Sequence, residues 1–161
     1  MKKWMSMIAV PALAFGGYAM VAWASPAVGV TPTLLARGTY EAFFVKSDHD
    51  ASFRFDAKAK DDVDIVVRQH DYQPFSHTGW HTHPGPVFIT VTKGYLTVYE
   101  WDDPTCTPRV LGEGQGYLDT GRGHMVRNET GLPAQDVTVI IAGIGEGFRG
   151  ELPAPNPNCG F

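Results

Sequence analysis

Hydrophobic and polar residues alternate along most of this chain with a period of two. In residues 62–71, DVDIVVRQHD, Val63, Ile65 and Val67 fall on one face and Asp64, Arg68 and His70 on the other, with Val66 as the exception. Residues 86–92 and 95–101 read as two strands joined across Lys93 and Gly94, where glycine supports a tight turn. Residues 134–142 give one more strand, with Val137, Val139 and Ile141 alternating. Beyond the N-terminal segment no stretch keeps a helical period over three turns, and Gly and Pro punctuate at intervals of roughly ten residues. The pattern predicts an all-β domain, a sandwich or a barrel. The tail ELPAPNPNCGF carries three prolines, so it is excluded from a central strand and is expected to wrap the outside.

Length sets the domain count: 161 residues suffice for one domain with a core and are too few for two ordinary ones. The first 24 residues differ from the rest. Lys2 and Lys3 are followed by no charge until Arg37, and Ala22-Trp23-Ala24 fits a small-x-small cleavage site. Residues 1–24 therefore read as a signal peptide, with a retained membrane anchor as the alternative. Both place the folded part outside the cytoplasm, secreted or periplasmic. Residues 25–38 form an extended lead-in and residues 39–161 a single domain ending in the Pro-rich tail.

Charge and cysteine count narrow the partners. With 13 Lys and Arg against 17 Asp and Glu the formal balance is −4, and it falls to −6 if Lys2 and Lys3 leave with the leader. An acidic chain without a basic cluster excludes nucleic acid as a partner. Cys106 and Cys159 lie in the exported part, where disulfides form and persist, so they are expected to pair; two free thiols are the alternative.

The chemistry concentrates in GWHTHPGPVFITVTKG, residues 79–94. Residues two apart on a strand share a face, so His81 and His83 reach one point in space, and neutral imidazole is a common metal ligand. His124, in DTGRGHMVRN, is the candidate third ligand. Alone, a His-x-His pair is also what a solvated strand shows.

These residues resemble the cupin superfamily. Its first motif runs Gly, five residues, His-x-His, three or four residues, Glu, six residues, Gly; its second runs Gly, five residues, Pro-x-Gly, two residues, His, three residues, Asn. Here His81, His83 and Gly94 match the first, with Gly79 closer to the pair than the motif prescribes. Gly121, His124 and Asn128 match the second, with Asp119 in place of proline and a glycine of the 112–116 segment one position out of register. The resemblance spans roughly residues 60–145 and implies a cupin-type β-barrel, the double-stranded β-helix or jelly roll. It implies a divalent transition metal on His81, His83 and His124, and a homodimer. The motif's glutamate is absent: its place falls on Val87, or on Phe88 under the longer spacing. Three imidazoles without a carboxylate shift preference from Mn toward Zn, Cu, Ni or Fe.

Two further residues are candidates for the shell or the pocket. His77 lies four residues before His81, and Glu100 sits on the neighbouring strand with its facing undecided. Trp80, Phe75, Phe88 and Tyr95 are candidates for an apolar pocket wall, with core packing as the alternative. GEGQG at 112–116 opens no helix and is read as turns rather than a phosphate cradle. Three functions stay open: a metal-binding exported barrel, a metal-dependent dioxygenase or isomerase acting on a small molecule, and a metal-free ligand-binding or structural barrel. A membrane enters only if residues 1–24 are retained.

Overall fold

The computed structural model describes residues 23–50 and 53–161, and every regular element among them is a strand. In chain order these are β1 (Trp23–Ala24), β2 (Val28–Tyr40), β3 (Phe43–Asp50), β4 (Phe53–Ala59), β5 (Val63–His77), β6 (His81–Thr82) and β7 (Val87–Lys93). There follow β8 (Tyr95–Glu100), β9 (Arg109–Gly112), β10 (Gly116–Asp119), β11 (His124–Arg127), β12 (Ala134–Gly143), β13 (Gly150–Glu151) and β14 (Pro153–Ala154). The strands expected at 62–71, 86–92, 95–101 and 134–142 are β5, β7, β8 and β12. Gly94, at φ 71°, makes the turn between β7 and β8. The signal or anchor segment lies outside the described residues except for Trp23 and Ala24.

Ten strands form one antiparallel sheet that folds into two layers. The front layer runs β10-β7-β12-β5-β2, the back layer β9-β8-β11-β6-β13, and they join where His77 of β5 pairs with Arg127 of β11. The expected lead-in is extended, and it is itself a strand: β2 pairs along most of β5. The result is the all-β barrel that the sequence predicts, closed around Val66, Val87, Ile89, Val91 and Ile140 from the front and Leu96, Val98, Leu111 and Val126 from the back. Burial of such side chains, at about 25 cal/mol per Å² of apolar surface, holds the layers together.

The alternation in β5 and β12 is as predicted, but the more apolar face is the outer one. Val63, Ile65 and Val67, like Val137, Val139 and Ile141, are only half-buried, whereas Asp64, Val66, Asp136, Thr138 and Ile140 are buried inside. Val66, the exception in the pattern, is fully buried. The inward polar groups are tolerated because each has a partner. Asp64 accepts from Arg37 Nε at 3.1 Å and from Thr39 Oγ1 at 2.8 Å, and Asp136 accepts from Tyr72 Oη at 2.8 Å.

The tail closes the outer face of the back layer. Cys106 and Cys159 are bonded, and Trp80, Tyr99 and Met125 form a second core under Leu152, Ala154 and the disulfide. Trp80 Nε1 donates to the carbonyl of Phe161 at 2.6 Å, and the two rings stack with centroids 6.0 Å apart. Strand β8 is therefore buried on both faces, which is why its own alternation does not show a facing.

Candidate metal centre

The register of the back layer assembles the histidines. His81 of β6 pairs directly with His124 of β11, and opposed residues of an antiparallel pair project to the same side. His83 follows two residues on and returns to that side. The ring centroids lie 4.4 Å apart for His81 and His124, 4.9 Å for His81 and His83, and 5.5 Å for His83 and His124. One ligand nitrogen from each falls within 4.8 Å of the others. Gly79 makes the approach feasible: at φ +72° it passes so close to Ser25 that a Cβ would stand 1.7 Å from the Ser25 carbonyl oxygen.

What the other ring nitrogens face decides the chemistry. His81 Nδ1 lies 2.9 Å from the carbonyl of Gly79, and His83 Nδ1 is bonded to the carbonyl of Phe148. A carbonyl can only accept, so both neutral rings carry their proton on Nδ1 and leave the Nε2 lone pair free. His124 Nδ1 faces Oδ2 of Asp119 at 3.4 Å, close but not aligned as a hydrogen bond. Such acceptors behind imidazoles are the arrangement that orients histidine ligands around a metal. Burial, followed by the neighbouring His124, holds His81 well below the ordinary imidazole value, and burial pushes His83 down to about 4. Burial pushes Asp119 up, but His124, the Gly121 amide and His83 together hold it below the usual carboxylate value. Both shifted histidines are thus neutral at pH 7, the state in which imidazole ligates. Three nitrogen donors with a carboxylate behind one of them fit a borderline divalent ion.

The remaining candidates are placed elsewhere. Val87 is buried and lines the same cavity as the histidines, while Phe88 points outward and is 42% exposed. The shorter motif spacing is the one the fold follows. Glu100 is opposite His124 in the β8–β11 pairing, yet its carboxylate accepts from Tyr117 Oη at 3.1 Å and is not part of the three-histidine group. His77 accepts from the Gly79 amide at 3.1 Å and is likewise outside it. Of the aromatic candidates, Trp80 follows the core alternative, sealed under the tail, and Phe75, Phe88 and Tyr95 are exposed. The aromatic residues that line the cavity are Tyr72 and Phe148. Asn128 is buried, and its Nδ2 donates to the Gln73 and Leu132 carbonyls, which fixes the loop.

Sequence reasoning missed a second polar group in this cavity. On its front wall His70 Nδ1 lies 2.8 Å from Oδ1 of Asp136, whose Oδ2 takes the Tyr72 hydroxyl. Arg68 stands on the same face of β5. The signal was present as Arg68 and His70 sharing a face, but Asp136 is 66 residues from His70 and only the β5–β12 register unites them. Asp119 was visible only as a departure from the motif proline.

No family model matches the sequence, and no curated protein matches it. Similar solved structures include an oxalate oxidase, 22% identical with a TM-score of 0.41, which covers 50% of this chain and 46% of that one. The chain thus spans less than half the length of that enzyme. A cupin superfamily protein of Desulfitobacterium hafniense is 10% identical over 68% of this chain and 74% of that one, with a TM-score of 0.45. A polyketide cyclase of Streptomyces resistomycificus is 14% identical over 78% and 82%, with a TM-score of 0.49.

Proposed function

We propose that this protein is a metal-binding cupin-type barrel that holds one divalent transition metal at Nε2 of His81, His83 and His124. The observation that carries the reading is the set of acceptors behind the rings of three histidines whose ligand atoms lie within 4.8 Å of one another. When bound, the ion supplies Lewis acidity and open coordination positions. The chain's own residues fix the ring tautomers and line a cavity of about 330 Å³ beside the cluster. The disulfide supports a non-reducing compartment, in keeping with an exported protein.

A second reading, a metal-dependent enzyme acting on a small molecule, is favoured by the His70–Asp136 pair in that cavity. The buried carboxylate holds the His70 ring through Nδ1, an arrangement that orients an imidazole for acid–base work.

Elemental analysis of the purified protein, with thermal melts before and after chelation, tests the first reading. Stoichiometric metal and a melting temperature that falls on chelation are expected for wild type, with no chelator response in His124→Ala. Wild type prepared in excess metal that holds none and ignores the chelator would refute the site.

A further inference from the structure

Most polar side chains lining the cavity already have partners. The buried Asp136 is shared by His70 and Tyr72. Arg149 is bonded to Glu151, with Nη2 to Oε2 at 2.9 Å, and to the Thr78 carbonyl at 2.7 Å. Thr78 donates to the Gly79 carbonyl, and Thr138 to the Arg68 carbonyl at 3.5 Å. Arg68 is different. Its side chain is half-buried and lines the cavity, and its guanidinium has no hydrogen-bond, ion-pair or ring partner among the described residues.

A guanidinium has five N–H donors, no acceptor and a charge that proteins do not remove. Unpaired and set beside apolar side chains, it presents donors that an anion can complete. The acids of the cavity are not available to it, since Asp136 and Glu151 are taken. Register places Arg68 beside Thr138 and, across β12, Ile89, two residues along and on the same face as the row that joins Val66, Ile140, Val87 and Asp119. An anion on Arg68 therefore has an apolar wall of Val87, Ile89, Val126 and Ile140 beside it, and the histidine cluster lines the same cavity.

We propose that the cavity binds a small organic carboxylate, its charged head on Arg68 and its carbon body on that apolar wall. The planar, bidentate match of guanidinium to carboxylate selects this class over neutral molecules of the same shape. The inference names a ligand for the site proposed above, but the Arg68 contact does not depend on the metal.

Benzoate and its neutral isostere benzamide are titrated calorimetrically into chelator-stripped and zinc-loaded protein. Stripped wild type is expected to bind benzoate saturably and benzamide about tenfold more weakly or worse. Arg68→Gln is expected to lose that preference. In wild type itself, the Arg68 Nε–Hε resonance is expected to move with benzoate and stay fixed with benzamide, which tests the contact without a variant. Equal binding of the two compounds, an unmoved Arg68 resonance, or a preference that survives Arg68→Gln overturns the proposal. Benzoate binding only to zinc-loaded protein, unaltered in Arg68→Gln, also overturns it while leaving the metal reading intact. Saturable benzoate binding to stripped protein that takes up no zinc supports Arg68 and refutes the metal.

Discussion

Oδ2 of Asp119 lies 3.4 Å from Nδ1 of His124, and both side chains are 1% exposed. The carboxylate stands where the cupin pattern has a proline, and its other oxygen accepts from the Gly121 amide at 2.9 Å. Asp119 is also the register partner of Val87, the position where the pattern has its acidic ligand. The Asp119 carboxylate thus stands one strand over from that position, behind a histidine ring.

That relationship predicts the effect of Asp119→Asn. The amide keeps an acceptor for Gly121 but loses the negative charge behind His124. Zinc affinity, measured by competition with a chromophoric chelator, is expected to fall by about 10- to 100-fold with stoichiometry unchanged. Unchanged affinity would show that Asp119 only shapes the loop.

The acid response of the metal-free protein follows from His81 and His83. Their folded-state pKa values are depressed, His83 to about 4, so between pH 6.5 and 4 the unfolded chain binds protons that the native state does not. Stability is then full above the unfolded value and is lost as pH falls through that window. The His83 displacement corresponds to about 3 kcal/mol. Denaturant midpoints of stripped protein should drop steeply from pH 6.5 to 4, and His83→Gln should flatten the slope.

Val87→Glu tests the missing carboxylate. The side chain lines the cavity with the histidines, so a glutamate there adds a hard oxygen to three imidazoles and should raise Mn and Fe affinity over wild type. Without metal the same carboxylate is buried and unpaired, which costs several kcal/mol. The melting temperature of the variant should therefore respond to chelator more strongly than wild type does. A folded variant with unaltered Mn affinity would rule out this facing.

Reduction of Cys106–Cys159 should release the tail. The cysteines are 53 residues apart, and chain-entropy reasoning for a loop of that length gives about 4 kcal/mol as an upper expectation. A lower melting temperature and a red shift of tryptophan emission, as Trp80 and Trp101 lose their cover, are the expected readouts. Emission that does not change on full reduction would mean that the tail holds its place without the bond.

Much of this architecture was legible because it depends on local pattern. Period-two alternation located β5, β7, β8 and β12, the spacing of His81 and His83 placed them on one face, and the motif spacing brought in His124. Facing was harder. Asp64 and Asp136 lie on the inner faces of β5 and β12, where Arg37, His70 and Tyr72 satisfy them, so a polar face reads as solvent-exposed until those partners are known. Trp80 read as either pocket wall or core because nothing local shows that the tail returns to cover it.

Strand β5 has a consequence for how the chain reaches its native state. One edge takes β2, which precedes it, while the other must wait for β12; Arg68 and Thr138, neighbours across that edge, are 70 residues apart. Sheets dominated by such distant pairings fold slowly, on the order of milliseconds to seconds. Through that interval Ile65, Val66 and Val67 form a β-prone apolar run with an open edge, the kind of segment that recruits other chains. It is bracketed by Asp64 and Arg68, whose charges discourage that association. Two side chains on the inner face of β5 thus act earlier as guards of a strand that waits for its second neighbour.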